Sequence, residues 1–235
     1  MNIYELIGFI IGDGNIYYNS KKRKYRLELC GNIEEDFDYF EQINNFLKKE
    51  SGSKPLFFSR QEKKGKSLRI QFNNKEFVEK LIKMGLPKGK KTFTILIPNH
   101  FLNNRKIMLS ILRGLFEADG CFYFSRSKKI NYPSYPRLEI KTSSPILVGQ
   151  IKSFLEGEGF IVYLKKPIIH KTYALLLSGE EMLEKWRQLI GFVSLKNQSK
   201  YKLWKTKGFY IPYTPLKNRQ ELCAGGTTAL RPISS

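Results

Sequence analysis

Residues 6–14 read Leu6-Ile7-Gly8-Phe9-Ile10-Ile11-Gly12-Asp13-Gly14. At a constant offset, residues 112–120 read Leu112-Arg113-Gly114-Leu115-Phe116-Glu117-Ala118-Asp119-Gly120. Large apolar, small, acidic and glycine positions follow the same order in both. Ile3, Leu6, Ile7 and Ile10 recur at helical spacing, which predicts a helix with a buried stripe. Gly14 and Gly120 suit helix stops. Gly8 and Gly12 stand four apart, as do Gly114 and Ala118, and small residues at that spacing let two helix backbones approach closely. An interior glycine costs a helix about 1 kcal/mol, which close pairing of the two segments would offset. Such pairing brings Asp13 and Asp119 together at two adjacent helix C-termini. Carboxylates repel each other and are disfavoured at the negative end of a helix. A divalent cation reverses both penalties. Carboxylates, carbonyls and water suit Mg²⁺, with the carbonyls of Gly12 and Ala118 as further donors.

The sequence after each motif also matches in outline. Ile16-Tyr17-Tyr18, a basic loop from Lys21 to Lys24, and Tyr25–Leu29 parallel Phe122-Tyr123-Phe124, a loop with Arg126, Lys128 and Lys129, and Arg137–Ile140. Each reads as strand, loop, strand. Helices are predicted near Glu34–Lys49 and, with proline at its start, Pro145–Leu155. Strand pairs follow at Leu56–Arg60 with Leu68–Phe72 and at Phe160–Leu164 with Tyr173–Leu177. Helices near Lys75–Met84 and Glu180–Ile190 close the halves. The order per half is αββαββα. The expected organisation is a first repeat over 1–87, a linker over 88–105, a second repeat over 106–211 and a weakly ordered tail over 212–235.

The 235 residues hold 41 Lys and Arg against 21 Asp and Glu, a formal net charge of +20. A polyanionic partner would relieve that self-repulsion. Cys30, Cys121 and Cys223 show no CxxC spacing, and His100 and His170 are too few and too far apart for a histidine-type metal site. Both histidines are read as ordinary loop or strand residues. No apolar run reaches the length of a membrane span and no secretory leader is legible. The expected setting is intracellular: the cytoplasm of an archaeon or bacterium, or an organelle matrix.

On the two motifs and the element order, over roughly residues 3–205, the chain resembles the single-chain, two-motif LAGLIDADG homing endonucleases, a family that also includes intron maturases. The resemblance implies an α+β fold in which αββαββα repeats in pseudo-twofold tandem. Two antiparallel sheets form a DNA-binding saddle, and the motif helices pack at the interface. It carries the family's metal-binding acids onto Asp13 and Asp119 and its backbone ligands onto Gly12 and Ala118. Mg²⁺ is the implied cofactor, with Mn²⁺ or Ca²⁺ able to substitute in binding. The family often has Gln or Lys just after the second strand. Here those places are Gly31 or Asn32 and Thr142 or Ser143, with Lys141 one step away. The family's loop lysine corresponds to Lys90, and the matching place in the second half is Gln198. Lys90 and Lys141 also read as plain phosphate contacts.

The implied function is a site-specific, intron-encoded endonuclease acting as a monomer. It makes a double-strand cut in duplex DNA by metal-dependent phosphodiester hydrolysis. A half of about 100 residues spans about 30–35 Å, or about 10 base pairs, giving about 20 in all. Strand side chains alternate between core and groove. The candidate DNA contacts are therefore Tyr17, Asn19 and Lys21; Lys24, Arg26 and Glu28; Arg60, Arg69 and Gln71; Tyr123, Ser125 and Ser127; Tyr135, Arg137 and Glu139; and Lys165 with Lys166. Unlike residues at matching places, such as Lys24 and Tyr135, imply an asymmetric target. The alternative is a maturase with intron RNA as its partner, which could keep the basic surface without both acids. A non-catalytic DNA-binding regulator ranks below both. An intein is not expected, since no splicing domain flanks the repeats.

Overall fold

Asn2 and Asn104 start the two motif helices, their side chains accepting from the N–H groups of Glu5 and Ile107. The computed structural model describes residues 1–62, 65–89, 91–127, 130–167 and 172–223, with only the backbone of 127, 130 and 131. The first half runs α1 (Ile3–Asp13), β1 (Gly14–Asn19), β2 (Lys24–Asn32), α2 (Phe37–Ser51), β3 (Leu56–Glu62), β4 (Gly65–Phe72) and α3 (Lys75–Lys83). A short α4 (Asn99–Leu102) leads into the second half. That half runs α5 (Arg105–Asp119), β5 (Gly120–Ser127), β6 (Ile130–Thr142), α6 (Pro145–Gly157), β7 (Tyr163–Lys165), β8 (Tyr173–Ser178) and α7 (Glu180–Leu189). The last helices are α8 (Leu195–Lys207) and α9 (Leu216–Cys223). The architecture is α+β with a tandem repeat. The sheets are ordered β1-β2-β4-β3 and β5-β6-β8-β7, and every neighbouring pair is antiparallel.

Helices α1 and α5 make the most extensive contact between any two helices. A Cβ added to Gly8 would stand 1.9 Å from the carbonyl oxygen of Ile111, and one added to Gly114 would stand 1.8 Å from that of Glu5. The second neighbours correspond as well: the backbone nitrogen of Leu115 faces Gly8 and that of Phe9 faces Gly114. Each helix thus presents the same glycine to the same place on the other, the reciprocity of a twofold contact. Gly14 and Gly120 differ from expectation. Both are extended rather than left-handed and already begin β1 and β5. Glycine is required there because a Cβ would fall 2.6 Å from Ile10 Cα or 2.4 Å from the Phe116 carbonyl oxygen.

The core lies between each sheet and its helices. Ile16, Leu27, Leu29, Ile70 and Phe72 fill one half, and Phe122, Leu138, Ile140, Leu175 and Leu177 the other. Two segments depart from the sequence reading. The connection over 88–105 is no bare linker: Ile95, Ile97 and Phe101 are buried. It is tied to α6, where Ser144 Oγ donates to the Ile95 carbonyl at 2.6 Å and Gln150 bonds both the N–H and the carbonyl of Ile97. The segment beyond 212 was expected to be weakly ordered, yet Leu216–Cys223 forms α9 with Leu222 and Arg219 buried. Its anchor is a single arginine, which a scan for large apolar residues passes over. Residues 224–235 lie outside the described residues.

Gly114→Ala is expected to cost about 3 kcal/mol, because the clash is with backbone that cannot rotate away. Urea denaturation checks this. An unchanged midpoint would mean that the helices do not touch.

Candidate active site and nucleic-acid face

The two motif helices end side by side. A Cβ on Gly12 would lie 2.7 Å from Ala118 Cβ and 3.0 Å from Asp119 Oδ2, so the carboxylate of the second motif rests against the backbone of the first. Asp13 is solvent-accessible and Asp119 half-buried. Loss of water around the Asp119 carboxyl, reinforced by the nearby Asp13 charge and opposed by Lys91, pushes its pKa up to about 7. Asp13 is raised too, mainly by desolvation, with Lys91 and Lys196 pulling the other way.

Lys91 is the cation between them. Its Nζ donates to the carbonyls of Ile10, of Ile11 at 2.8 Å and of Gly12 at 3.2 Å, capping the negative end of α1. Burial lowers its pKa to about 8, with Asp119 and Asp13 restraining the fall. Lys91, Gly12 and Asp119 line a cleft of about 240 Å³ with Lys141, Thr142 and Ser143. Lys141 also pairs with Glu139 at 3.0 Å. Lys90 lies outside the described residues. The Gln198 amide donates to the carbonyls of Phe192 and Val193 at 3.0 Å. From the same helix it is Lys196 that faces the first half, 2.7 Å from Asp36 Oδ1.

One face of each sheet carries the predicted alternation. Tyr17 stands opposite Arg26 and Asn15 opposite Glu28, and the row continues through Gln71 and Arg69 to Arg60 at the outer strand. In the second sheet Tyr123 stands opposite Arg137, Ser125 opposite Tyr135 and Cys121 opposite Glu139, with Lys165 on β7. Arg26 lies over the ring of Tyr17, and Arg137 over that of Tyr135. Several of these groups hold one another. Gln71 donates to Glu28 at 2.8 Å, Arg69 pairs with Glu62 at 2.6 Å, and Arg137 donates to Ser125 and Ser178 at 3.0 and 2.9 Å. Lys21 is displaced from the expected row, because β1 ends at Asn19 and Lys21 lies in the turn. There Asn19 Oδ1 accepts from Lys22 N–H at 2.9 Å. A register shift after Ser125 ends the simple alternation before Ser127, whose side chain lies outside the description. Lys166 falls just past β7 and so leaves the alternation of Lys165. His100 packs its ring against Phe101, and His170 lies outside the described residues.

Residues 106–191 match the family model of the LAGLIDADG-like domain. That stretch is a LAGLIDADG-like domain. The fold of the chain is that of the single-chain LAGLIDADG homing endonucleases. I-WcaI bound to its DNA recognition sequence superposes with a TM-score of 0.57 at 19% identity, covering 81% of each chain. I-SmaMI bound to uncleaveable DNA gives 0.56 at 14% identity, covering 96% of this chain and 98% of that one. I-DmoI in complex with DNA and Mn gives 0.55 at 20% identity, covering 80% and 94%. Other I-DmoI complexes contain Ca or Mg. A curated relative, the ATP-dependent DNA helicase Hel308 of Thermococcus kodakarensis, is 28% identical over 209 residues. Those residues are 88% of this chain but only 16% of the helicase, so the chain spans about a sixth of that relative's length. Among the described residues, no helix is long and apolar enough to cross a membrane.

Asp13 and Asp119 carry hard oxygen donors of the kind that suit Mg²⁺, and burial raises the pKa of both, with the nearby Asp13 charge adding to the rise at Asp119. Among the described residues no cluster of three or more His, Cys, Asp and Glu occurs. The Gly12 carbonyl already accepts from Lys91, an arrangement the sequence does not announce. Sequence reasoning also missed Lys196. Counting from the motif finds the region, but only the packing of α8 against α2 shows which side chain turns inward.

Asp119 titrates higher in the fold than the 3.8 of a free carboxyl. The folded state therefore holds a proton that the unfolded chain releases, and this group erodes stability as pH rises from about 4 to about 7. Asp119→Asn in EDTA at pH 8 is thus expected to melt above the parent. Adding Mg²⁺ should raise the parent's Tm and leave the variant's nearly unmoved, as differential scanning calorimetry would show.

Proposed function

We propose that this protein is a site-specific homing endonuclease that makes a double-strand cut in an asymmetric duplex target of about 20 base pairs, encoded within an intron. The observation carrying the reading is Asp119 seated against Gly12 at the paired ends of α1 and α5, which lead directly into two sheets that present aromatic and basic side chains. The relatives of the same fold bound to DNA and metals support it.

Asp13 and Asp119, with backbone carbonyls beside them, would hold divalent metal. When bound, Mg²⁺ supplies Lewis acidity to activate water and to stabilise the departing 3′ oxygen. Lys91 places an ammonium near both acids, where negative charge accumulates on a phosphate under attack. Lys141 offers a second charge at the mouth of the same cleft. The sheets read the duplex. Arg26 and Arg137 stand opposite Tyr17 and Tyr123, so corresponding arginines reach out from each half for guanine edges or phosphates. Neighbouring positions differ, with Lys24 matched by Tyr135 and Cys30 by Lys141, and these differences make the two half-sites unlike.

The test is incubation in Mg²⁺ with a plasmid carrying a target recovered by binding from a randomised duplex library. The parent is expected to linearise it. Asp13→Asn and Asp119→Asn should bind it in Ca²⁺ yet no longer produce linear product, and Lys91→Met should slow cutting by about 100-fold or more. Linearisation by either Asn variant at the parent rate would defeat the assignment, as would preference for structured RNA over duplex DNA. Binding should weaken steeply with salt, with log K falling nearly linearly in log[salt]. A flat salt profile would remove the sheet faces from the interface.

A further inference from the structure

Lys91 and Lys196 are held by unlike means. Lys91 caps the carbonyls of α1, and its loop is pinned by Gly89 N–H on the Ile16 carbonyl at 2.9 Å. Lys196, in the first turn of α8, is held from three directions. Its ammonium meets Asp36 Oδ1 at 2.7 Å, and Asp36 Oδ2 accepts from Asn32 N–H at 2.8 Å. The turn before it is gripped by the buried carboxylate of Glu117, which accepts from Val193 N–H at 2.7 Å, Ser194 Oγ at 2.5 Å and Asn197 Nδ2 at 2.9 Å. Its backbone carbonyl accepts from Arg219 Nη1 at 2.8 Å.

Arg219 belongs to α9 and is 1% exposed. Its Nη2 pairs with both carboxylate oxygens of Glu35, which lies in the first half. A guanidinium buried this far is costly unless its partners are fixed, and here they come from both halves of the molecule. Among the described residues helix α9 has no counterpart in the first half, where the chain after Lys91 runs into α4 and α5. Lys196, Arg219 and Glu35 line a cleft of about 620 Å³ together with Cys121 and Tyr123, which lie on the outer face of β5.

We propose that α9 is a strand-selective positioning element. Arg219, bridging Glu35 and the Lys196 carbonyl, fixes Lys196 on the Asp13 side of the site, so that cutting of one DNA strand depends on α9 and cutting of the other does not. The proposal rests on the endonuclease reading. A purely structural staple would act on both strands alike.

The experiment uses the full chain and the library-derived duplex, each strand labelled separately, with single-turnover cutting in Mg²⁺. Arg219→Ala is expected to slow one strand by about 100-fold, the scale of a small misplacement of a catalytic group, and to leave the other near the parent rate. A supercoiled plasmid then accumulates as open circle. Arg219→Lys, which keeps the charge but loses the fork, should behave in the same way. Glu35→Gln, which keeps an acceptor, should show the same strand bias more weakly. Those two variants carry the test if Arg219→Ala does not fold. Equal slowing of both strands, or no slowing, overturns the proposal while leaving the nuclease intact. A parent that cuts neither strand overturns the endonuclease reading itself, and this proposal with it.

Discussion

The structure depends on one contact, the approach of α1 and α5 to a distance that only glycine permits. Gly8 meets the carbonyl of Ile111, and Gly114 meets that of Glu5. Neither helix gains from glycine by itself, since each interior glycine weakens it. The gain is collective. Two backbones in contact set the halves at one fixed separation, and the helix ends inherit it. Since the contact is reciprocal, a shift of one helix along the other would drive a side chain into backbone in two places at once.

That geometry creates an electrostatic problem that function can exploit. Two carboxyls are delivered to two negative helix ends, where water is partly excluded and each raises the other's cost. The protein answers with lysines, Lys91 on the α1 carbonyls and Lys196 through Asp36. They do not cancel the cost of lost water, because both acids still titrate above their ordinary range, chiefly through burial. A partly desolvated site with hard oxygen donors suits a small divalent cation and disfavours an additional bare anion.

The repeat, the strand order and the pairing of the acids were legible because they rest on periodicity and on residue types with few other uses. Gly8 with Gly12, and Gly114 with Ala118, stated the helix contact in the sequence. What escaped was set by tertiary packing alone. Lys91 went unread because its place on the α1 carbonyls follows from how its loop crosses β1, where Gly89 N–H bonds the Ile16 carbonyl. Gln198 and Lys196 are separated by little more than half a helical turn, and Lys196 is drawn by Asp36, just before α2 and far away in sequence. Helix α8 went unread because its apolar residues, chiefly Leu195, Leu203 and Trp204, form no regular stripe. Helix α9 went unread because its anchor is an arginine, whose burial makes sense only once Glu35 is opposite it.

The repeat is faithful in backbone and unfaithful in the means that complete each half of the site. At matching places α1 has Ile11 and α5 has Glu117, both buried. Ile11 offers only its carbonyl, and Lys91 takes it. Glu117 offers a carboxylate, and the Val193–Asn197 turn closes around it. One half therefore brings its lysine to the helix, while the other brings its loop to the helix and turns the lysine across to Asp36 of the first half. A duplicated fold needs its backbone contact to stay symmetric, since a change on one side must be met on the other. Side chains away from that contact are free to diverge, and asymmetric function is most readily built there.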